Sequence, residues 1–159
     1  MTEEKKTPLL LTRIANASQE VRLPRKLLTE LLDLAYRKEK RRGKASLDLV
    51  VMDDDEIARL NRRHLGRDRA TDVLAFDDGE MEPGGRLRLG DVAISAETAR
   101  RVSAERDMKF NHELAFYALH GLLHLLGMRD GSDEEREAMH RRQADIMRAY
   151  GLEVGDELM

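Results

Sequence analysis

Glu113-Leu-Ala-Phe-Tyr-Ala-Leu-His-Gly-Leu-Leu-His-Leu-Leu-Gly127 is the stretch on which the fold turns. It is apolar nearly all round, so a helix formed from it belongs inside the protein. His120 and His124 are four residues apart and project from one face, one turn above the other. Two imidazoles so placed can each offer a ring nitrogen to one cation. Gly127 can end the helix in a left-handed conformation. The chain then turns back, and Asp130, three residues later, can close on the same cation through its carboxylate.

The offsets carry more than the pair. Zinc proteases of the metzincin type follow His-Glu-x-x-His-x-x-Gly-x-x-His, and His120, His124, Gly127 and Asp130 fall at those positions. Gly121 stands where the protease has its general-base Glu, and Asp130 stands where it has a third His. Three protein ligands plus water is the catalytic form of a zinc site. Such a metal lowers the pKa of bound water towards ~7. A glycine inside a helix costs about 1 kcal/mol relative to alanine, so Gly121 points to the close approach of a strand or a substrate.

Blander readings exist for each of these residues. The histidine pair alone also fits core imidazoles satisfied by backbone carbonyls. Asp130 before Gly131 also fits a turn. His140 competes as third ligand, although its place on the next helix argues for exposure. His64 and His112 read as surface or supporting residues. Asp72 and Asp91 are candidates for a general base, or carboxylates that orient a turn or a strand end. The catalytic base is left unassigned.

Working outward, the 159 residues suit one domain spanning 1–159. The composition is 41% apolar with three Phe, three Tyr and no Trp, so the core must be aliphatic and Met-rich. Without cysteine there is no disulfide, no thiolate metal site and no cysteine nucleophile. Met1 to Thr7 is polar and precedes only a short apolar run, so no secretion signal is expected. No stretch reaches the ~20 apolar residues that span a bilayer, and a cytoplasmic protein without membrane contact is the expectation. The net charge of −3 conceals basic runs at Arg37 to Lys44 and at Arg62, Arg63, Arg67 and Arg69. Such patches attract phosphates locally, or are simply a solvated surface.

The periodicities alternate along the chain. Leu9 to Ile14 reads as a strand. Pro24 sits in the first turn of a helix carrying Leu27, Leu28, Leu31, Leu32 and Ala35. Leu47, Leu49 and Val51 have strand spacing. Asp53 or Asp54 caps a helix with Ile57, Leu60 and His64 inward and Gly66 as its stop. Thr71 to Phe76 is a short apolar strand, Glu80 to Gly85 a turn, and Leu87 to Ser95 a strand in which Gly90 marks a bulge or close backbone approach. A helix from about Ala96 to Arg106 follows, then the helix from about Asn111 to Gly127. The last helix opens with Ser132 and Glu135 as a capping box. It lays Met139, Ile146, Met147 and Tyr150 along one face and ends at Gly151. Four strands and about five helices in mixed order predict an α+β domain.

The motifs together resemble the YbeY family, zinc-dependent endoribonucleases of ribosomal RNA maturation. The family signature His-Gly-x-Leu-His-Leu-x-Gly-Tyr-Asp-His is matched by His120-Gly-Leu-Leu-His-Leu-Leu-Gly-Met-Arg-Asp130. Leu60-Asn61, Gly66 to Phe76 and Leu89-Gly90-Asp91-Val92-Ala93-Ile94-Ser95 resemble two further family segments. The resemblance implies a zincin-like α+β fold, with a mixed four-stranded sheet, about five helices and a buried metal-bearing helix. It implies one Zn2+ per chain on His120, His124 and Asp130, another divalent metal being possible. It also implies cleavage of single-stranded RNA near the 3′ end of small-subunit ribosomal RNA, a part in ribosome quality control and contact with the small subunit. Arg63, Arg67 and Arg69 are then the RNA-binding residues. The chain departs from the family at Asp130 (usually His), Leu65 (usually Arg) and Ala70 (usually Pro). The departures at Asp130 and Leu65 keep open an assembly factor without catalysis, its metal structural or lost, and the zincin offsets keep open a metallopeptidase.

Overall fold

The computed structural model describes residues 7–20, 22–65 and 72–152, Leu65 by its backbone alone. The elements run β1 (Leu10–Asn16), α1 (Arg25–Lys38), β2 (Ala45–Met52), α2 (Asp54–Leu65), β3 (Val73–Met81), β4 (Leu87–Ser95), α3 (Ala96–Glu105), α4 (Phe110–Leu125) and α5 (Asp133–Tyr150). The strands form one mixed sheet in the order β1-β2-β4-β3. β1, β2 and β4 are parallel, and β3 returns antiparallel along β4 as an edge strand. The expected α+β architecture with a mixed four-stranded sheet is what the chain adopts.

Strand alternation sorts the two faces of the sheet. Leu47, Leu49, Val51, Val92 and Ile94 point into the main core with Leu28, Leu31, Leu32 and Ala35 of α1. Ala93 points the other way, into a smaller cluster with Ile57 of α2 and Leu74 of β3. α4 lies in the main core, packed against α1, α3, α5, β3 and β4. Its Leu114, Leu119, Leu122 and Leu123 are fully buried, each worth about 1.5–3 kcal/mol relative to exposure. The apolar surround leaves a single polar stripe at helical spacing: Glu113, Tyr117, His120 and His124.

Two glycines make this packing possible. A Cβ on Gly121 would stand 2.4 Å from Cγ1 of Val92, so the close approach expected there is to β4. A Cβ on Gly90 would stand 2.0 Å from the carbonyl oxygen of Phe76, and Gly90 has φ 149° beside register shifts on both of its neighbours. Gly90 is therefore both bulge and close approach.

Several expectations need correction. β3 runs on to Met81, and the turn is confined to residues after it; Met81 pairs with Leu87. Glu80 reads as the start of the turn, yet a hairpin tip projecting into solvent needs no apolar side chains to pair. Pro24 is the residue before α1 rather than inside it. His64 is exposed and rests against the Phe76 ring with centroids 5.0 Å apart. Asp54 does not cap its own helix: its carboxylate accepts from Ser95 and Thr98 and ties α2 to the start of α3. Burial pushes that carboxyl up, but those hydrogen bonds and Arg101 hold it below the usual carboxylate range. No helix among the described residues is long and apolar enough to cross a membrane.

Candidate metal centre

α4 stops where its sequence says it must. The N–H of Gly127 donates to the carbonyl of His124 and that of Met128 to Leu123, both at 3.0 Å. Gly127 has φ 103°, so this is a Schellman ending, which glycine adopts without a Cβ penalty. The reversal carries Asp130 back beneath the helix end. Ser132 then starts α5 by accepting from the Glu135 N–H at 3.1 Å. Arg136 holds the intervening loop, donating to the Asp130 carbonyl at 3.4 Å and pairing with Asp133.

His120, His124 and Asp130 converge. His120 Nε2 lies 3.1 Å from His124 Nε2, and Asp130 Oδ2 lies 3.1 Å from His124 Nε2 and 3.3 Å from His120 Nε2. A tetrahedral ion bound at about 2.0–2.1 Å holds its ligand atoms roughly 3.3 Å apart, so the triangle has the dimensions such an ion needs. The donor set is right as well: two imidazoles and one carboxylate suit zinc and neighbouring divalent metals. The three side chains are half-buried, His120 the deepest. Burial pushes the Asp130 carboxyl up, and the two adjacent imidazoles more than reverse this and hold it low.

The triangle opens into a groove of about 320 Å³ whose opposite wall is the edge strand, with Asp72, Val73, Leu74, Ala75 and Asp77. No Lys or Arg lines it among the described residues. Asp72, one of the two candidate bases, is therefore at the site. Asp91 is not: it lies away from the groove and pairs with Arg88 at 2.6 Å. His140 is not exposed as expected but half-buried behind His120, ring centroids 6.4 Å apart, and stays outside the ligand triangle. Burial, then the charge of His120, push its imidazole below the usual range. His112 is half-buried at the start of α4. Arg63 is exposed near the end of α2 and is not part of the groove lining, while Arg67, Arg69, Ala70 and the Leu65 side chain lie outside the described residues.

One residue of the site went unread in the sequence. Gln143 of α5 is fully buried and stands 3.1 Å from His120 Nδ1 through its Oε1. Its signal was available: it falls on the Met139, Ile146 and Met147 face of α5, the one polar member of an otherwise apolar stripe.

Comparison with known proteins places this geometry in context. A family model described as Endoribonuclease YbeY matches residues 13–151. The protein named Endoribonuclease YbeY from Oceanobacillus iheyensis is 38% identical over 135 residues, covering 80% of this chain and 88% of its own. The one from Bacillus subtilis is 36% identical over 135 residues, covering 80% of this chain and 86% of its own. That of Halalkalibacterium halodurans is 40% identical over 136 residues, covering 79% and 86%. Among solved structures, a Thermotoga maritima protein studied in solution aligns with TM-score 0.55 and 25% identity, over 91% of this chain and 97% of that one.

Proposed function

The chain belongs to the YbeY endoribonuclease family, and from that premise we propose that it is a metal-dependent endoribonuclease of ribosomal RNA maturation. Its substrate is single-stranded RNA near the 3′ end of the small-subunit ribosomal RNA, met on the small subunit in the cytoplasm. The observation that carries the metal dependence is the triangle of His120, His124 and Asp130, whose edges of 3.1–3.3 Å suit a tetrahedral ion.

Those three residues would hold one Zn2+. When bound, the ion supplies Lewis acidity towards a phosphate oxygen and lowers the pKa of a coordinated water. The rest falls to the chain's own residues. Asp72, Asp77 and Asp130 line the groove, and their carboxylates favour a cation there over a bare phosphodiester. Asp72 and Asp77, outside the ligand triangle, are carboxylates positioned on the groove wall to accept a proton from an attacking water. Arg63, Arg67 and Arg69 hold the RNA backbone and set affinity rather than sequence choice.

Gly121 weighs against a peptidase. With Val92 2.4 Å from the position of a Cβ, the general-base Glu of the metzincin pattern does not fit there without moving β4. The test pairs elemental mass spectrometry with RNA cleavage by the purified protein and by His120→Ala. About one zinc per chain, and cleavage lost in a folded variant, is the expected result. Unchanged cleavage overturns the mechanism, and a protein that takes up no metal is an assembly factor that kept the fold without the chemistry.

A further inference from the structure

A histidine ligand binds a cation through a nitrogen that carries no proton, so the other ring nitrogen must carry it. In neutral His120 the hydrogen must therefore sit on Nδ1 if Nε2 is to face the groove. The surroundings of Nδ1 decide this. Gln143 Oε1 stands 3.1 Å away, and Gln143 Nε2 donates to the Phe116 carbonyl at 3.1 Å. The Phe116 carbonyl can only accept, so the amide NH2 must face it. The amide oxygen is then what faces His120, and an oxygen requires a hydrogen on Nδ1.

We propose that Gln143 is a positioning residue, held by the Phe116 carbonyl, that fixes His120 as the Nδ1–H tautomer and so aims its Nε2 lone pair at a divalent cation in the groove. The chain of contacts is closed: α4 supplies both His120 and the carbonyl that orients the amide, and α5 supplies the amide. Gln143 is fully buried, so water does not compete for either bond. A neutral amide also leaves Asp130 as the anion of the donor set, where an ionised glutamate would add a second negative charge. Partners of this kind typically alter metal affinity 10–100-fold.

The inference rests on the reading that His120 is a metal ligand, but its decisive measurement does not. Long-range 15N–1H correlation spectra of the metal-free full chain, at about pH 8.5 where imidazole is ordinarily neutral, report which ring nitrogen of His120 carries the proton. Nδ1–H is expected; a proton on Nε2 overturns the proposal with no variant needed. In Gln143→Met, of similar volume but with no acceptor, the tautomers mix and zinc binding weakens by about 10–100-fold. In Gln143→Glu a protonated carboxyl donates to the Phe116 carbonyl and still accepts from Nδ1–H, so the proton stays on Nδ1 and zinc affinity stays within a few-fold of the parent. Nδ1–H retained in Gln143→Met at parental zinc affinity, or lost in Gln143→Glu, also overturns it. Should Gln143→Met not fold, the parent and Gln143→Glu spectra decide. A parent that shows Nδ1–H yet binds no zinc defeats the metal reading and leaves the tautomer assignment standing.

Discussion

Two polar clusters, one on the outer face of the sheet and one at the end of α4, are wired in opposite ways. On the sheet, Asp48 alternates with Leu47 and Leu49 and so faces outward, where Arg13 meets it at 3.0 Å and Arg88 at 2.9 Å. Arg13 also pairs with Glu82, and Arg88 with Asp78 and Asp91. Every cation there is braced by carboxylates, and each carboxylate has a cation. Arg13 and then Arg88 hold the Asp48 carboxyl below its usual range despite partial burial. At the end of α4, by contrast, three acceptor atoms crowd together and two nearby aspartates add negative charge. A cluster that satisfies itself is scaffold. One that gathers three acceptor atoms within reach of one another could hold a cation.

That contrast is most sharply tested by removing one acceptor from the triangle. Asp130→Ala or His120→Ala is expected to cost more than about 100-fold in zinc affinity, beyond what an outer partner costs, as read by calorimetry. Parental affinity in Asp130→Ala would erase the distinction between the clusters. Next comes the mount beneath the triangle. Gly121→Ala drives a methyl into Val92 and is expected to destabilise the fold by about 1–3 kcal/mol in chemical denaturation. An unchanged midpoint would show that α4 and β4 separate at little cost.

Glu113 lies on the same stripe of α4 and tests the electrostatics more gently. It is 1% exposed, its Oε2 has no hydrogen-bond partner, and burial pushes its carboxyl above the usual range. A carboxyl raised in the folded state favours folding while protonated and costs stability once pH climbs through that raised value. Glu113→Gln is therefore expected to gain on the parent as pH rises from about 4 to 8, by roughly 1 kcal/mol at the upper end. Melting curves across that range check it, and a difference that shrinks with pH would reverse the assignment. The smallest effect belongs to the sheet: Asp48→Asn is expected to cost about 1 kcal/mol or less, as exposed pairs do, with zinc affinity untouched. Because the Asp48 carboxyl is depressed in the fold, its contribution is present above the ordinary carboxylate range and fades as pH falls through the lower native value.

How much of this could be read beforehand follows from what is local. The His120, His124, Gly127 and Asp130 spacing is legible because one helical turn and one left-handed glycine set the geometry of the whole ligand triangle. The meaning of Gly121 was half-legible: its cost inside a helix demanded a neighbour, and only the fold named Val92. What escaped depends on packing between distant segments. Gln143 reaches His120 across 23 positions and Arg13 reaches Glu82 across 69. No periodicity encodes such meetings. The depth of His140 escaped for the same reason, since the angle at which α5 returns over α4 decides it. The hairpin extension of β3 escaped because its polar residues satisfy turn and strand equally well.

His120, His124 and Asp130, which could hold a metal ion, all come from one helix end and its Schellman reversal. A segment that short can curl into the same triangle whenever it forms a few turns of helix, without the sheet. Zinc held there by the unfolded chain as well would protect the protein against heat by less than its affinity for the native state alone dictates, an expectation that melting curves at graded zinc concentrations check.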